Sequence, residues 1–291
     1  MADGRWLAID WGTTNRRVYL MDAAGAVLAT ARDGRGVMAL NRDDFPGEVA
    51  ALRARHGALP ILSAGMLGST RGWRDAPYLP APIGVDGLAA GIVRIEEADV
   101  GIVPGVAAPD GRADVMRGEE VQVLGAVAAG LAPADALFCQ PGTHNKWIRV
   151  AGGRIVDLAT ALTGELFALL RDHSILSEMM RGAVADGPAF REGVRRAGEG
   201  APLLTALFGV RAGVLLGRRA REDAASYASG LLIGADVAAQ RIAGATVQLL
   251  ADPTLGALYA AAIGEQGGSS VMIDSHAAFA AGIHAVREAG I

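Results

Sequence analysis

A carboxylate, a glycine, two hydroxyls and an amide stand together in Asp10-Trp11-Gly12-Thr13-Thr14-Asn15, between two apolar runs. Such a turn suits a phosphate. Glycine lets the backbone approach, threonine hydroxyls and N–H groups donate to the oxygens, and the Asp10 carboxylate can hold Mg2+ through water. It is not a P-loop, which needs Gly-x-x-x-x-Gly-Lys and a following helix. Nor is it a dinucleotide fingerprint, because Arg17-Val18-Tyr19-Leu20 continues as a strand where that motif needs a helix. An ordinary hairpin with a buried aspartate is the bland alternative. A second copy weakens it: Leu137-Phe138-Cys139-Gln140-Pro141-Gly142-Thr143-His144-Asn145 runs into Lys146-Trp147-Ile148, and Gly153 repeats the later turn at Gly25. Paired Gly-Thr turns fit two halves of a protein gripping a chain of phosphates, which points to nucleotide-dependent phosphoryl transfer.

Other residues could complete that chemistry. Lys146 is the only lysine in a chain that otherwise uses arginine for its long cations. A lysine is a compact point charge for phosphate oxygens; the bland reading is a chance survivor of composition bias. Glu119 and Glu120 open a helix just upstream of the second turn. They either complement the helix dipole or supply a general base, with Glu120 favoured and Glu119 close behind. The stretch from Gly65 to Tyr78 holds Ser69, Arg71, Trp73, Arg74 and Tyr78. That mix suits a polyhydroxy acid, with Arg71, Arg74 or Arg17 for its carboxylate and an indole for its sugar face; a solvated surface loop would look the same. Thr163 and Glu165 read equally as a helix start or as further substrate contacts. His173 and Cys139 read as structural.

Composition excludes several classes. At 291 residues and 51% hydrophobic, with 40 glycines, the chain can build one large or two moderate α/β domains. A net charge of -4 argues against nucleic-acid binding. A single cysteine and no apolar run of membrane-spanning length imply a cytoplasmic protein without a membrane partner. The histidines show no metal-ligand spacing.

The elements that must position these residues follow from periodicity. Strands are expected at 6–10, 17–21, 26–30, 61–65, 100–103 and 247–250, and from Leu137 on. Helices are expected at 43–56, 119–130, 163–170, 174–181, 188–196, 203–210, 222–243, 255–264 and 275–289. The strand pattern restarts at Leu137, so the expected domains are 1–133 and 134–291: two similar α/β halves facing across a cleft.

The turn Asp10–Asn15 resembles phosphate motif 1 of the actin/hexokinase/Hsp70-like ATPase superfamily. Gly-Met-Leu-Gly-Ser, Met-Arg-Gly-Glu-Glu, Pro-Gly-Thr-His-Asn-Lys-Trp and Leu-Thr-Gly-Glu-Leu-Phe, in that order, resemble one family within it, 2-dehydro-3-deoxygalactonokinase. The resemblance implies two actin-like (ribonuclease H-like) α/β domains with an interdomain cleft. It implies ATP and Mg2+ as cofactors and phosphorylation of 2-keto-3-deoxygalactonate on its 6-hydroxyl. It assigns Asp10, Gly12, Thr13, Thr14 and Asn15 to the first phosphate motif and Gly142, Thr143, His144, Asn145 and Lys146 to the second. It also puts adenosine near the run Ser229–Gly234, including Gly230 and Gly234, and near 249–259. Departures are Gln140 where a second metal-linked aspartate is common, Arg16 where an apolar residue is expected, and Asn145 for serine. A homodimer is compatible with this reading. The rivals are a kinase for another sugar acid such as 2-keto-3-deoxygluconate, a phosphohydrolase of the superfamily, or a nucleotide-responsive regulatory protein.

Overall fold

The structure, a computed structural model, describes residues 4–290. Its first sheet begins with the antiparallel strands β1 (Trp6–Trp11), β2 (Arg16–Met21) and β3 (Val27–Asp33). Helix α1 (Phe45–His56) follows and returns the chain to β4 (Ile61–Gly65), parallel to β1. Then come β5 (Tyr78–Pro80), α2 (Val85–Ala90), β6 (Val93–Ile95), β7 (Val100–Ile102), β8 (Gly105–Ala107), β9 (Val115–Met116) and α3 (Glu119–Ala128). The order in the main sheet is β3-β2-β1-β4-β7-β6, and β5-β8-β9 form a small separate sheet.

The same plan restarts with β10 (Ala136–Gln140), β11 (Asn145–Ala151) and β12 (Arg154–Ala161). Helices α4 (Thr163–His173), α5 (Pro188–Gly198), α6 (Leu203–Leu215) and α7 (Ala224–Ala239) come next. Strand β13 (Thr246–Leu250), α8 (Pro253–Glu265), β14 (Ser269–Ile273) and α9 (Ser275–Ala289) complete the chain. This sheet runs β12-β11-β10-β13-β14, with β10, β13 and β14 parallel. Leaving aside the edge strand β6, the two orders are the same. That is the duplication the paired hairpins predict, in the ribonuclease H-like form that the family resemblance implies.

Two compact units result. One holds the described residues up to Asp135 with Ile148–Ala159 and the segment from Asp274 onward; the other holds Ala136–Trp147 and Thr160–Ile273. A single cut at 133/134 leaves α9 in the second half, whereas here α9 belongs with the first unit. The reason is a glycine crossing. Gly125 of α3 and Gly282 of α9 lie face to face, and a Cβ on Gly282 would run into the Val121 carbonyl. Gly282→Ala is therefore expected to destabilise by ~1–3 kcal/mol through overpacking. Gly264→Ala, at an open helical position in α8, should instead gain up to ~1 kcal/mol from helix propensity. Urea titration of the two variants distinguishes a packing constraint from a general intolerance of change.

The first unit's core gathers Leu7, Ile9, Trp11, Phe45, Leu67 and Ile102 around β1, and the second has a cluster of Met180, Val210, Tyr227 and Leu231. The periodicity predicts a helix over 174–181, but the chain forms successive turns there. Ser174 Oγ donates to the Leu170 carbonyl (2.5 Å) and accepts from Leu176 N (3.0 Å), so its hydroxyl takes over backbone bonds that a helix would need. Strands β6, β8 and β9 and helix α2 are unforeseen because two to six residues are too few to show a period. Among the described residues no helix is long and apolar enough to cross a membrane.

Candidate active site

In the first unit, β1 and β4 run parallel and end level, with Trp11 paired to Gly65. The Gly12–Asn15 turn thus sits at the carboxyl ends of parallel strands, where ligands of open α/β sheets are commonly held. Two glycines bring the start of α3 to the same place. Gly65 (φ 90°) lies so close that a Cβ would stand 2.7 Å from the Trp11 carbonyl oxygen, and one on Gly118 (φ 105°) would stand 3.2 Å from Gly65 Cα. Thr13, Thr14 and Asn15 are exposed. Their backbone is braced from behind: Val37 N donates to the Gly12 carbonyl (3.1 Å), Met38 N to that of Thr13 (3.0 Å) and Gly36 N to that of Thr14 (3.3 Å).

Arg16, the unexpected cation, does not face a ligand. It is 5% exposed, lies over the Trp11 ring at 4.9 Å, and is neutralised by Glu48 (3.0 Å) and Asp33 (2.7 Å). Arg17 alternates to the other face of β2 and approaches Asp10 at 3.5 Å. Burial pushes the Asp10 carboxyl above its usual range, and Glu119 adds to this while Arg17 and His276 oppose it. Among the described residues no cluster of three or more His, Cys, Asp or Glu is arranged to hold a metal ion.

The acidic pair separates sharply. Glu120 is fully enclosed, and both its oxygens accept from Gly118 N at 2.8 Å. Burial, reinforced by the Glu119 charge, pushes it up to about 8. Glu119 is half-buried and accepts from Arg117 N at 2.9 Å. The favoured member of the pair is thus the one closed to solvent, a difference the helical pattern alone does not show.

The 65–78 loop divides its residues among several tasks. Ser69 Oγ donates to the Met66 carbonyl at 2.7 Å. Trp73, half-buried, stacks on Phe45 (6.4 Å, 13°) against the first core. Arg74 pairs with Glu97 at 3.8 Å. Arg71 is exposed, beside Met38 Sδ at 3.3 Å. Tyr78, also exposed, lies under the Arg117 guanidinium at 4.2 Å.

The second unit repeats the brace with different parts. Glu165 N donates to the Thr143 carbonyl (2.9 Å), and Gly164 packs so tightly on the Gly142 carbonyl that a Cβ would overlap it. Thr143 and His144 are exposed, and His144 Nε2 lies 2.7 Å from Glu165 Oε2. Asn145 is instead fully buried, donating to Asp236 at 2.7 Å, so its side chain serves the interior and not the turn's surface. Trp147 Nε1 donates to the same carboxylate at 2.8 Å, which places Lys146, between them, on the opposite face of β11. Lys146 is only 6% exposed, and no carboxylate reaches it among the described residues.

A cavity of about 300 Å3 adjoins this turn. Gly142, Thr163 and Gly164 line one part, and Phe167, Ser229, Leu232, Ile233, Leu258 and Tyr259 line much of the rest. Mostly apolar walls with a few polar groups and a helix start suit a nucleoside carrying phosphates. Gly230 and Gly234 do not line it. They are the positions where α7 crosses α5: a Cβ on Gly230 would meet the Phe190 carbonyl, and one on Gly234 would lie 2.7 Å from Val194 Cα. Their neighbours Ser229, Leu232 and Ile233 face the cavity instead. Gly36 and Asp236 are the contributors that motif spacing misses. Asp236 alone leaves a signal, as the single charge within the helix Ala224–Ala239.

Comparison with known proteins places this geometry. A profile described as 2-keto-3-deoxy-galactonokinase matches residues 10–286. The chain is 35% identical to the 2-dehydro-3-deoxygalactonokinase of Escherichia coli (strain K12), over 98% of each sequence. It is 38% identical to a Rhizobium meliloti (strain 1021) protein assigned the same activity by name, over 98% of this chain and 97% of that one. A crystal structure of a Sinorhizobium meliloti protein assigned to that activity superposes with a TM-score of 0.87, at 38% identity and 98% coverage of both chains. Matched over nearly its whole length, the chain belongs to the 2-keto-3-deoxy-galactonokinase family of ATP-dependent carbohydrate kinases.

Proposed function

We propose that this protein transfers the γ-phosphoryl group of ATP to the 6-hydroxyl of 2-dehydro-3-deoxy-D-galactonate, in the cytoplasm, as a step of galactonate catabolism. The observation that carries the reading is the cavity adjoining the Gly142-Thr143 turn: an apolar chamber for the base ends at exposed donors and the start of α4. Family membership supports the identity of the acceptor.

The roles follow from exposure and charge. Thr13, Thr14, Thr143 and His144 offer donors to phosphate oxygens, and Lys146 supplies a compact positive charge. Asp10 is the residue that would hold Mg2+ through water, and that ion supplies charge neutralisation on the phosphates when bound. Glu119 accepts the proton of the attacking hydroxyl. Arg71 is the loop arginine we assign to the acid's carboxylate, since Arg74 already pairs with Glu97.

ADP release measured with ATP and Mg2+ tests the reading, using no acceptor, 2-keto-3-deoxygalactonate or 2-keto-3-deoxygluconate. Turnover that depends on acceptor and favours the galactonate is expected. Equal rates on both acids would drop the narrow substrate, and ATP hydrolysis without acceptor would replace the kinase by a hydrolase. In the same assay Lys146→Met should cut kcat by about tenfold or more, because a nearly buried ammonium without a carboxylate partner calls for an anion. Unchanged kinetics would return Lys146 to a packing role.

A further inference from the structure

Asp236 lies near the end of α7, in a helix otherwise built of apolar and small residues, and is 8% exposed. Its one carboxylate takes four donors. Trp147 Nε1 reaches Oδ1 at 2.8 Å; Asn145 Nδ2, Thr163 Oγ1 and Tyr259 Oη reach Oδ2 at 2.7, 2.8 and 2.9 Å. These donors come from β11, the first residue of α4 and the middle of α8. Three of these donors converge on Oδ2 and one on Oδ1, so a single carboxylate ties three elements together.

What the donors do elsewhere gives this hub a functional meaning. Thr163 and Tyr259 line the cavity beside the phosphate turn, and Asn145 is the first residue of the strand leaving that turn. With their protons committed to Asp236, the Thr163 and Tyr259 hydroxyls have fixed rotamers and offer only lone pairs to a guest. We propose that Asp236 is a positioning residue for the nucleotide: without touching it, the buried carboxylate fixes two cavity hydroxyls and the root of the phosphate turn as one preformed surface. This rests on reading the cavity as the nucleotide site.

The test compares KM for ATP, KM for the sugar acid, kcat and Tm across a small set of full-length variants. Asp236→Asn should raise KM for ATP by about tenfold or more and leave KM for the sugar acid within about twofold. Tyr259→Phe and Thr163→Val each remove one donor and should raise KM for ATP by roughly three- to tenfold, with Thr163→Ser restoring it. Trp147→Phe removes the donor that does not line the cavity; it should lower Tm without moving KM for ATP. If Asp236→Asn does not fold, the Tyr259 and Thr163 variants carry the test alone. Lowered Tm with unchanged KM for ATP in those variants would make Asp236 a mere brace and overturn the proposal. Ala183→Trp, which fills the cavity from its exposed rim, separates the two levels. If it raises KM for ATP while the hydroxyl variants do not, only the role of Asp236 falls. If it leaves KM for ATP unchanged, the nucleotide site lies elsewhere and both readings fall.

Discussion

Glu119→Gln is expected to lower kcat by roughly 10²–10⁴-fold while KM for ATP and for the sugar acid stay within about threefold, the pattern of a lost general base. The two glutamates share the first turn of α3 but not its environment. Glu120 turns back beneath Gly118 and is sealed in, whereas Glu119 stays partly open to solvent and is electrostatically coupled to Asp10 at the end of β1. A base must come within hydrogen-bond reach of the hydroxyl it deprotonates, and of the two carboxylates only that of Glu119 is open to solvent. Steady-state kinetics on the purified variant check this, with retained circular dichroism showing that α3 is intact. Near-wild-type turnover would remove Glu119 from the chemistry.

Glu120→Gln should show its main effect in stability, and that effect should depend on pH. In the unfolded chain this carboxyl ionises near its ordinary 4.5, but in the folded protein burial holds the proton up to about 8. Its contribution to stability is therefore fully present below about pH 4.5 and is lost progressively as pH rises to about 8, because only the unfolded state has released the proton. The loss has a ceiling on the order of 5 kcal/mol. Glutamine does not titrate, so Tm of the variant relative to wild type should climb between pH 5 and pH 8 and level off above that. A Tm difference independent of pH would mean that Glu120 does not change its charge in this window. Turnover should suffer far less than in Glu119→Gln.

The paired hairpins are legible because glycine, threonine and strand alternation coincide, and the duplicated sheet order follows from them. Other features carry no such coincidence. Trp73 sits in a stretch rich in glycine and arginine that reads as a substrate loop, yet its ring is drawn onto Phe45 of the core. Gly230 and Gly234 stand where a ligand approach is expected, but the same absence of a Cβ equally serves two helices pressed together. Asn145 looks like the last polar residue of a phosphate turn until Asp236, distant in sequence, is seen to claim it. Membership of α9 in the first unit depends on Gly282 meeting Gly125, a long-range contact that local periodicity does not encode.

The backing of the first turn by residues 36–38 has a consequence for how anions are sorted. With the carbonyls of Gly12, Thr13 and Thr14 all occupied by amides from behind, the exposed rim at 13–15 is left rich in donors and poor in acceptors. Backbone amides and threonine hydroxyls do not titrate between pH 5 and 9, so this rim reads the sign of a charge without reading acidity. Any change in affinity for a phosphate chain across that range should therefore follow the phosphate's own second ionisation, at about pH 6, and not this rim. Gly36, which no motif marks, is required by the same packing, since a Cβ there would overlap the Thr13 carbonyl oxygen.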